Sequence, residues 1–234
     1  MGSEMCIRDS NRIIPWALAR SAWASFKELE YSRNPSEFML PHFCDKKRIK
    51  FGTSGLVFRD SALMKASRNG FAMPCIWSLL RSPRSSILAL KYLIDVGNIH
   101  KKKWENPSFS KVLLVAALEA AITYMNYHSE CVKLVHEHRF CSIGVGSAKK
   151  GVFMTISRHA NDLWELNNQK VIQNYDASLI FANDQVMCLS AVGKLDHMLA
   201  TAEGNIQLRG YIPLLEKFGY ISRIAKRELI YSSE

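Results

Sequence analysis

The chain has 234 residues, 48% of them hydrophobic and 22% charged. That is enough apolar mass for a packed core, and it excludes a disordered or collagen-like chain. The net charge of +10 is held unevenly: residues 1–110 carry 18 Lys/Arg against 9 Asp/Glu, and residues 111–234 carry 13 against 12, so a basic front joins a near-neutral back.

Met1 to Ser10 reads as translated adapter, a non-native leader, and is left out of the fold reading. The apolar run Ile13-Ile14-Pro15-Trp16-Ala17-Leu18-Ala19 is too short for a signal peptide and lacks a small-residue cleavage site after it. Cys6, Cys44, Cys75, Cys131, Cys141 and Cys188 form no Cys-x-x-Cys pair. Scattered thiols in a chain of this length suit the reduced state of a cytoplasmic protein. Asn34 and Asn106, which precede Ser by two residues, are each followed by Pro and so are not glycosylation acceptors.

From 11 to 107 the pattern predicts a basic, mostly helical region. Residues 14–29 suit one helix, ended by Ser32-Arg33-Asn34-Pro35. Asp45-Lys46-Lys47-Arg48-Ile49-Lys50 is a basic run that leads into a turn at Gly52-Thr53-Ser54-Gly55. Ser85-Ser86 caps a helix over 87–96, with Gly97 as its stop. Residues 71–94 are long enough to cross a bilayer, but Arg81, Pro83, Arg84 and Lys91 interrupt them. Such a stretch can lie flat on a membrane surface. A second basic run, His100-Lys101-Lys102-Lys103-Trp104, ends in a linker at Glu105-Asn106-Pro107.

After Ser108 the pattern changes to that of a domain over 108–234. Leu114, Leu118, Ala121, Ile122, Met125, Val132 and Val135 recur at helical spacing and predict one helix over 110–137. Its apolar part, 112–125, is shorter than the ~20 residues a bilayer needs and carries Glu119 midway, so a buried core helix is expected. Strands are predicted at 140–145 and 151–157, the second with Val152, Met154 and Ile156 on one face against Phe153 and Thr155. Short strands at 163–166 and 171–172 precede a strand at 177–182 with Ala177, Leu179 and Phe181 on one face. Helices at 184–191 and 195–202, a strand at 205–209 and a helix from Pro213 to Leu229 complete the chain. The order predicts an α+β fold, an antiparallel-rich sheet with helices gathered on one side.

The segments Val192-Gly193-Lys194-Leu195-Asp196-His197-Met198, Gly204-Asn205-Ile206-Gln207-Leu208-Arg209-Gly210 and Ile212-Pro213-Leu214-Leu215 resemble the sterol-carrier-protein type-2 domain over roughly 140–230. That family has a Gly-Lys-Leu-Asp-Pro-Met-like turn and helix, then a Gly-Lys-Ile-Lys-Ile-x-Gly-Asp strand and a closing helix. The chain departs from this pattern at His197, where Pro is usual, and at Tyr211, where an acid is usual. The resemblance implies a non-catalytic carrier that encloses an acyl chain, sterol or isoprenoid between sheet and helices.

An apolar cavity needs walls without unpaired polar groups. The expected sheet wall is Val152, Met154, Ile156, Leu179, Phe181, Ile206 and Leu208, and the helical wall is Met187, Leu195, Met198, Leu199, Leu214, Leu215 and Phe218. The same residues also suit a filled core, in which case the chain is a protein–protein scaffold or regulatory module. Lys101, Lys102, Lys103 and Trp104 suit contact with an anionic membrane surface. Trp77 beside Arg81 and Arg84 suits an interfacial anchor as well.

Other constellations carry less. Cys131, His136, His138 and Cys141, with His128 nearby, fit no finger spacing, so no metal is expected. Gly146-x-x-x-x-Gly151 is followed by Val152-Phe153 instead of Lys-Ser/Thr, which leaves phosphate charge without a partner. Gly52-Thr53-Ser54-Gly55 is not a nucleophile elbow. No cofactor and no enzymatic activity are expected. Nucleic acid ranks below lipid as a partner, for want of a helix-turn-helix or an aromatic strand.

Overall fold

The computed structural model describes residues 10–29, 40–45, 47–69, 72–138, 141–158, 162–168 and 174–231. Apart from Ser10, the leader lies outside the described residues, as do Ser32-Arg33-Asn34-Pro35 and the expected strand at 171–172.

Among its described residues the front of the chain holds more helix than strand, but it also contains a small sheet that the pattern did not predict. After α1 (Ser10–Leu29) come β1 (Pro41–Asp45), β2 (Arg48–Phe51) and β3 (Leu56–Arg59), an antiparallel sheet in that order. The basic run masks the reason: Arg48-Ile49-Lys50-Phe51 alternates polar with apolar, the period of a half-buried strand. Ile49 and Phe51 stand in register with Phe58 and Leu56, and all four are at most 1% exposed. Gly55, at φ +78°, closes the turn between β2 and β3. Arg12 clamps this sheet to α1 through Asp60 (3.2 Å) and the Asp45 carbonyl (3.2 Å), with its guanidinium over the Phe43 ring.

Three helices follow: α2 (Asp60–Asn69), α3 (Ile76–Arg81) and α4 (Pro83–Lys102). The predicted helix over 87–96 is the middle of α4. Pro83 opens it, as its missing N–H permits, and it runs through Gly97. The cost of a mid-helix Gly, about 1 kcal/mol, is offset by packing of Val96 and Ile99 on either side of it. Ser85 and Ser86 do not cap α4. Their hydroxyls donate to the Ser54 carbonyl and tie the helix to the β2–β3 turn.

The expected helix over 110–137 is two helices, α5 (Ser110–Tyr127) and α6 (Ser129–Val135), separated where His128 turns extended at φ −76°, ψ 124°. α5 is long and apolar enough to cross a membrane, but it is buried on nearly every side as the central helix of the fold. α1 lies along it. Ile13, Ala17 and Ala24 of α1 join the core around α5, whereas Ala19 and Phe26 join the core of the small sheet. Packing therefore crosses the expected boundary at 107/108 through α1.

The second sheet has the order β6-β5-β4-β7-β8, from β4 (Ser142–Ser147), β5 (Gly151–Arg158), β6 (Trp164–Asn167), β7 (Ala177–Phe181) and β8 (Ile206–Gly210). Every pairing is antiparallel except β4 with β7. α7 (Asp184–Ala191), α8 (His197–Ala202) and α9 (Ile212–Tyr231) lie after β7 in chain order. The fold is α+β, and its larger sheet is mixed and mainly antiparallel. Its inner face, Ile143, Val145, Met154, Ile156, Ala177 and Phe181, meets Leu114, Leu118, Ile122 and Met125 of α5 in one core.

His100, on α4 against α1, has its Nε2 3.2 Å from Ser25 Oγ, and burial pushes its pKa down to about 4. The unfolded chain then binds more protons than the folded one between about pH 4 and the ordinary histidine value, so this group's share of stability is lost as pH falls through that window. The share is about 3 kcal/mol at most. Buried His138 acts in the same direction and Glu119, whose pKa burial raises, in the opposite one. The comparison of wild type with His100→Gln isolates the group: urea midpoints at pH 7 and pH 4.5 should differ less in the variant.

Candidate functional site

The motif that resembles the carrier family has a clear local logic. α7 ends with Gly193 at φ +68°, where the Gly193 N–H donates to Ser190 O (2.9 Å) and the Lys194 N–H to Leu189 O (2.8 Å). Lys226 of α9 donates to the Gly193 carbonyl, a cation at a helix C-terminus. Asp196 then caps α8 by accepting from the N–H groups of Met198 and Leu199 (3.0 and 3.1 Å). At the end of β8, Gly210 at φ +82° turns the chain so that the Tyr211 N–H donates to Asp176 O (2.8 Å). The Tyr211 ring packs edge-on against His138, with centroids 5.3 Å apart.

Thirteen of the fourteen expected wall residues divide into three groups. Met154, Ile156, Phe181, Met187, Ile206, Leu214, Leu215 and Phe218 are at most 6% exposed and pack together with the α5 side chains in one core. Leu179 and Leu195 are half-buried against that core. Leu208, Leu199 and Met198 are 37%, 56% and 84% exposed, so these three do not line the interior. They sit on the two arms of the turn that joins α8 to β8, which pack against each other. The result is an apolar rim at the β8 edge of the sheet, in register with Leu179 through the Leu179–Leu208 pair.

Val152 also departs from its expected place. A bulge shifts the β4–β5 register, so that Val145 pairs with Met154 but Gly146 pairs with Val152. Phe153 is the extra residue, which inverts the alternation at this point. Phe153 turns towards the core, and Val152 joins the opposite face of the sheet beside Gly144 and Tyr175.

Two of the surface clefts among the described residues bear on this site. One, of about 280 Å³, is lined by Ser110, Lys111, Lys150, Phe153, Asp184 and Met187 and touches the expected wall only at Met187. The other, of about 580 Å³, lies between the end of α1 and α4, with Tyr92, Asp95, Asn98, Lys102 and Lys103 among its lining. Both linings mix apolar side chains (Phe153 and Met187 in the first, Leu29, Ile99 and Phe109 in the second) with charged ones, and apart from Met187 neither draws on the expected wall. Among the described residues no group of three or more His, Cys, Asp or Glu is placed to hold a metal. Burial raises the pKa of Cys44, Cys141 and Cys188 and pushes that of Cys131 up to about 12, away from thiolate chemistry.

Of the expected membrane-contact residues, Lys101, Lys102 and Lys103 are exposed at the end of α4. Trp104 is half-buried against Ile99, Val112 and Leu113, and the Lys194 ammonium lies over its ring at 3.8 Å. Its indole therefore joins α4 to the back of the molecule instead of facing outward. A larger apolar surface was legible only in part. Met73, Ile76, Trp77, Leu80, Ile87 and Leu88 are all 46% exposed or more. The signal was the spacing of 76/77/80 and 84/87/88/91, which places apolar and cationic side chains together on one helical face.

Comparison with protein-family models finds no match for this chain, and comparison with curated proteins finds no similar one.

Proposed function

We propose that the chain is a non-catalytic lipid-binding protein of sterol-carrier type that takes its ligand at the open rim between α8 and β8. The observation that carries this reading is the exposure of Leu199 and Leu208, with Leu208 paired to half-buried Leu179, and Leu179 and Leu195 both packed against the main apolar core. The order of elements supports it: a helix, a three-stranded meander, a strand, two helices, a strand and a helix follow one another as the family resemblance lays out its motifs. An acyl chain laid along such a rim gains about 0.8 kcal/mol per methylene removed from water. The exposed Met198 suits a rim whose occupant varies, because its side chain is flexible and polarisable.

The test is the uptake of a fluorescent fatty acid by the full chain. Saturable binding is expected, with at least a tenfold loss in Leu199→Asp and in Leu208→Asp. Both positions are exposed, so folding should be unaffected. No uptake by the wild type, or equal uptake by both variants, overturns the reading.

A second reading has its own support. The eight interior side chains fill the space between sheet and helices, as in a scaffold or regulatory module that works through its surface alone. Under that reading the rim is a contact for protein, and the fatty acid finds no site.

A further inference from the structure

We propose that the outer face of α3 and the first half of α4 docks on an anionic phospholipid bilayer. The inner sides of these two helices are fixed by buried serines. Ser78 Oγ accepts from the Val57 N–H (3.3 Å), and Ser86 Oγ lies 3.1 Å from the Ser54 carbonyl it donates to. Ala89 and Val96 continue the buried side of α4. With those positions inward, helical spacing turns Ile76, Trp77 and Leu80 of α3 and Arg84, Ile87, Leu88 and Lys91 of α4 to the outside. Trp77 is 83% exposed, Leu80 67%, Ile76 66% and Ile87 64%. Soluble proteins seldom leave so many large apolar side chains uncovered at one place.

The chemistry of the rim selects the occupant. Arg81, Arg84 and Lys91 are exposed among the apolar residues, and the same helix continues to Lys101, Lys102 and Lys103, with Asp95 as the acid on that side. Trp and Leu/Ile on a helix face interleaved with Arg and Lys is the composition of a helix that lies at the headgroup boundary. The apolar side chains reach the acyl region while the cations meet lipid phosphates. A nucleic acid would satisfy the cations but leave the Ile76, Leu80 and Ile87 side chains in water. This surface lies outside the segment that resembles the carrier domain, and the inference does not depend on ligand uptake there.

The experiment is co-sedimentation of the full chain with vesicles of phosphatidylcholine alone or mixed with phosphatidylglycerol. Binding to the mixed vesicles is expected, weakened by salt and at least tenfold weaker on phosphatidylcholine alone. Each basic residue near an anionic surface is worth about a factor of five. Arg84→Gln/Lys91→Gln should therefore bind about twenty-five-fold more weakly, and Trp77→Ser/Ile87→Ser at least tenfold more weakly. Both variants should keep the wild-type circular dichroism and thermal midpoint. Leu199→Asp should bind vesicles like the wild type, which separates this surface from the rim. The proposal is overturned if Trp77→Ser/Ile87→Ser sediments with mixed vesicles as fully as the wild type does. It is also overturned if the wild type ignores them, whether or not it retards RNA or self-associates.

Discussion

Arg20→Ala is expected to destabilise the fold by about 3 kcal/mol, because it strands Glu119. That carboxylate sits midway along α5 with its side chain 6% exposed, and Arg20 Nη2 of α1 lies 3.0 Å from its Oε2. Burial raises the pKa of Glu119, and the Arg20 guanidinium works against that rise. In a domain of this size the loss corresponds to roughly 6–12 °C in thermal midpoint. The double variant Arg20→Met/Glu119→Leu should recover most of it, since two apolar side chains restore packing without a charge to solvate. Urea unfolding of the three proteins checks this. A loss under about 1 kcal/mol in Arg20→Ala, the range of surface ion pairs, would show that water reaches Glu119 and that α1 does not seal the core.

Gly210→Ala is the second large effect. A Cβ at this position would stand 2.2 Å from Asp176 O, in a backbone already at φ +82°. Asp176 O is also the acceptor for the Tyr211 N–H, and Asp176 Oδ2 accepts from the Ser142 N–H at 2.7 Å. A shift here would disturb the β7–β8 pairing and the entry to α9 together. A loss of about 3 kcal/mol is expected, of which left-handed strain accounts for roughly 1–2 kcal/mol. Gly204→Ala is the matched control, since its φ is +76° but nothing lies within 4 Å of the added Cβ. It should lose only the strain. Equal urea midpoints for the two variants would contradict the close approach.

Elements with local signals were legible in the sequence. α7 falls at 184–191 as expected because both of its ends are coded nearby: Asn183 Oδ1 accepts from the Val186 N–H at 2.9 Å, and Gly193 supplies the left-handed exit. Elements decided by distant partners were not. The face of Val152 depends on a register shift set by β4, which alternation within β5 cannot reveal. The exposure of Met198 and Leu199 depends on how α8 docks on β8. The small front sheet was not legible because a four-residue strand carries only two apolar positions, Ile49 and Phe51, set among the charges of Lys47, Arg48 and Lys50. The break at His128 interrupts a helical pattern that continues on both sides of it. The candidate site follows the same division. Eight of its residues share one apolar core as periodicity predicts, while those at the edge are assigned by tertiary contacts alone.

The central claim is that this protein holds a single lipid at the α8–β8 rim. Native mass spectrometry of the full chain, gently purified and then offered oleate, addresses it most directly. The account predicts a one-to-one adduct of lipid mass that Leu208→Asp lacks. Bare chain as the sole species, before and after oleate is added, would contradict it.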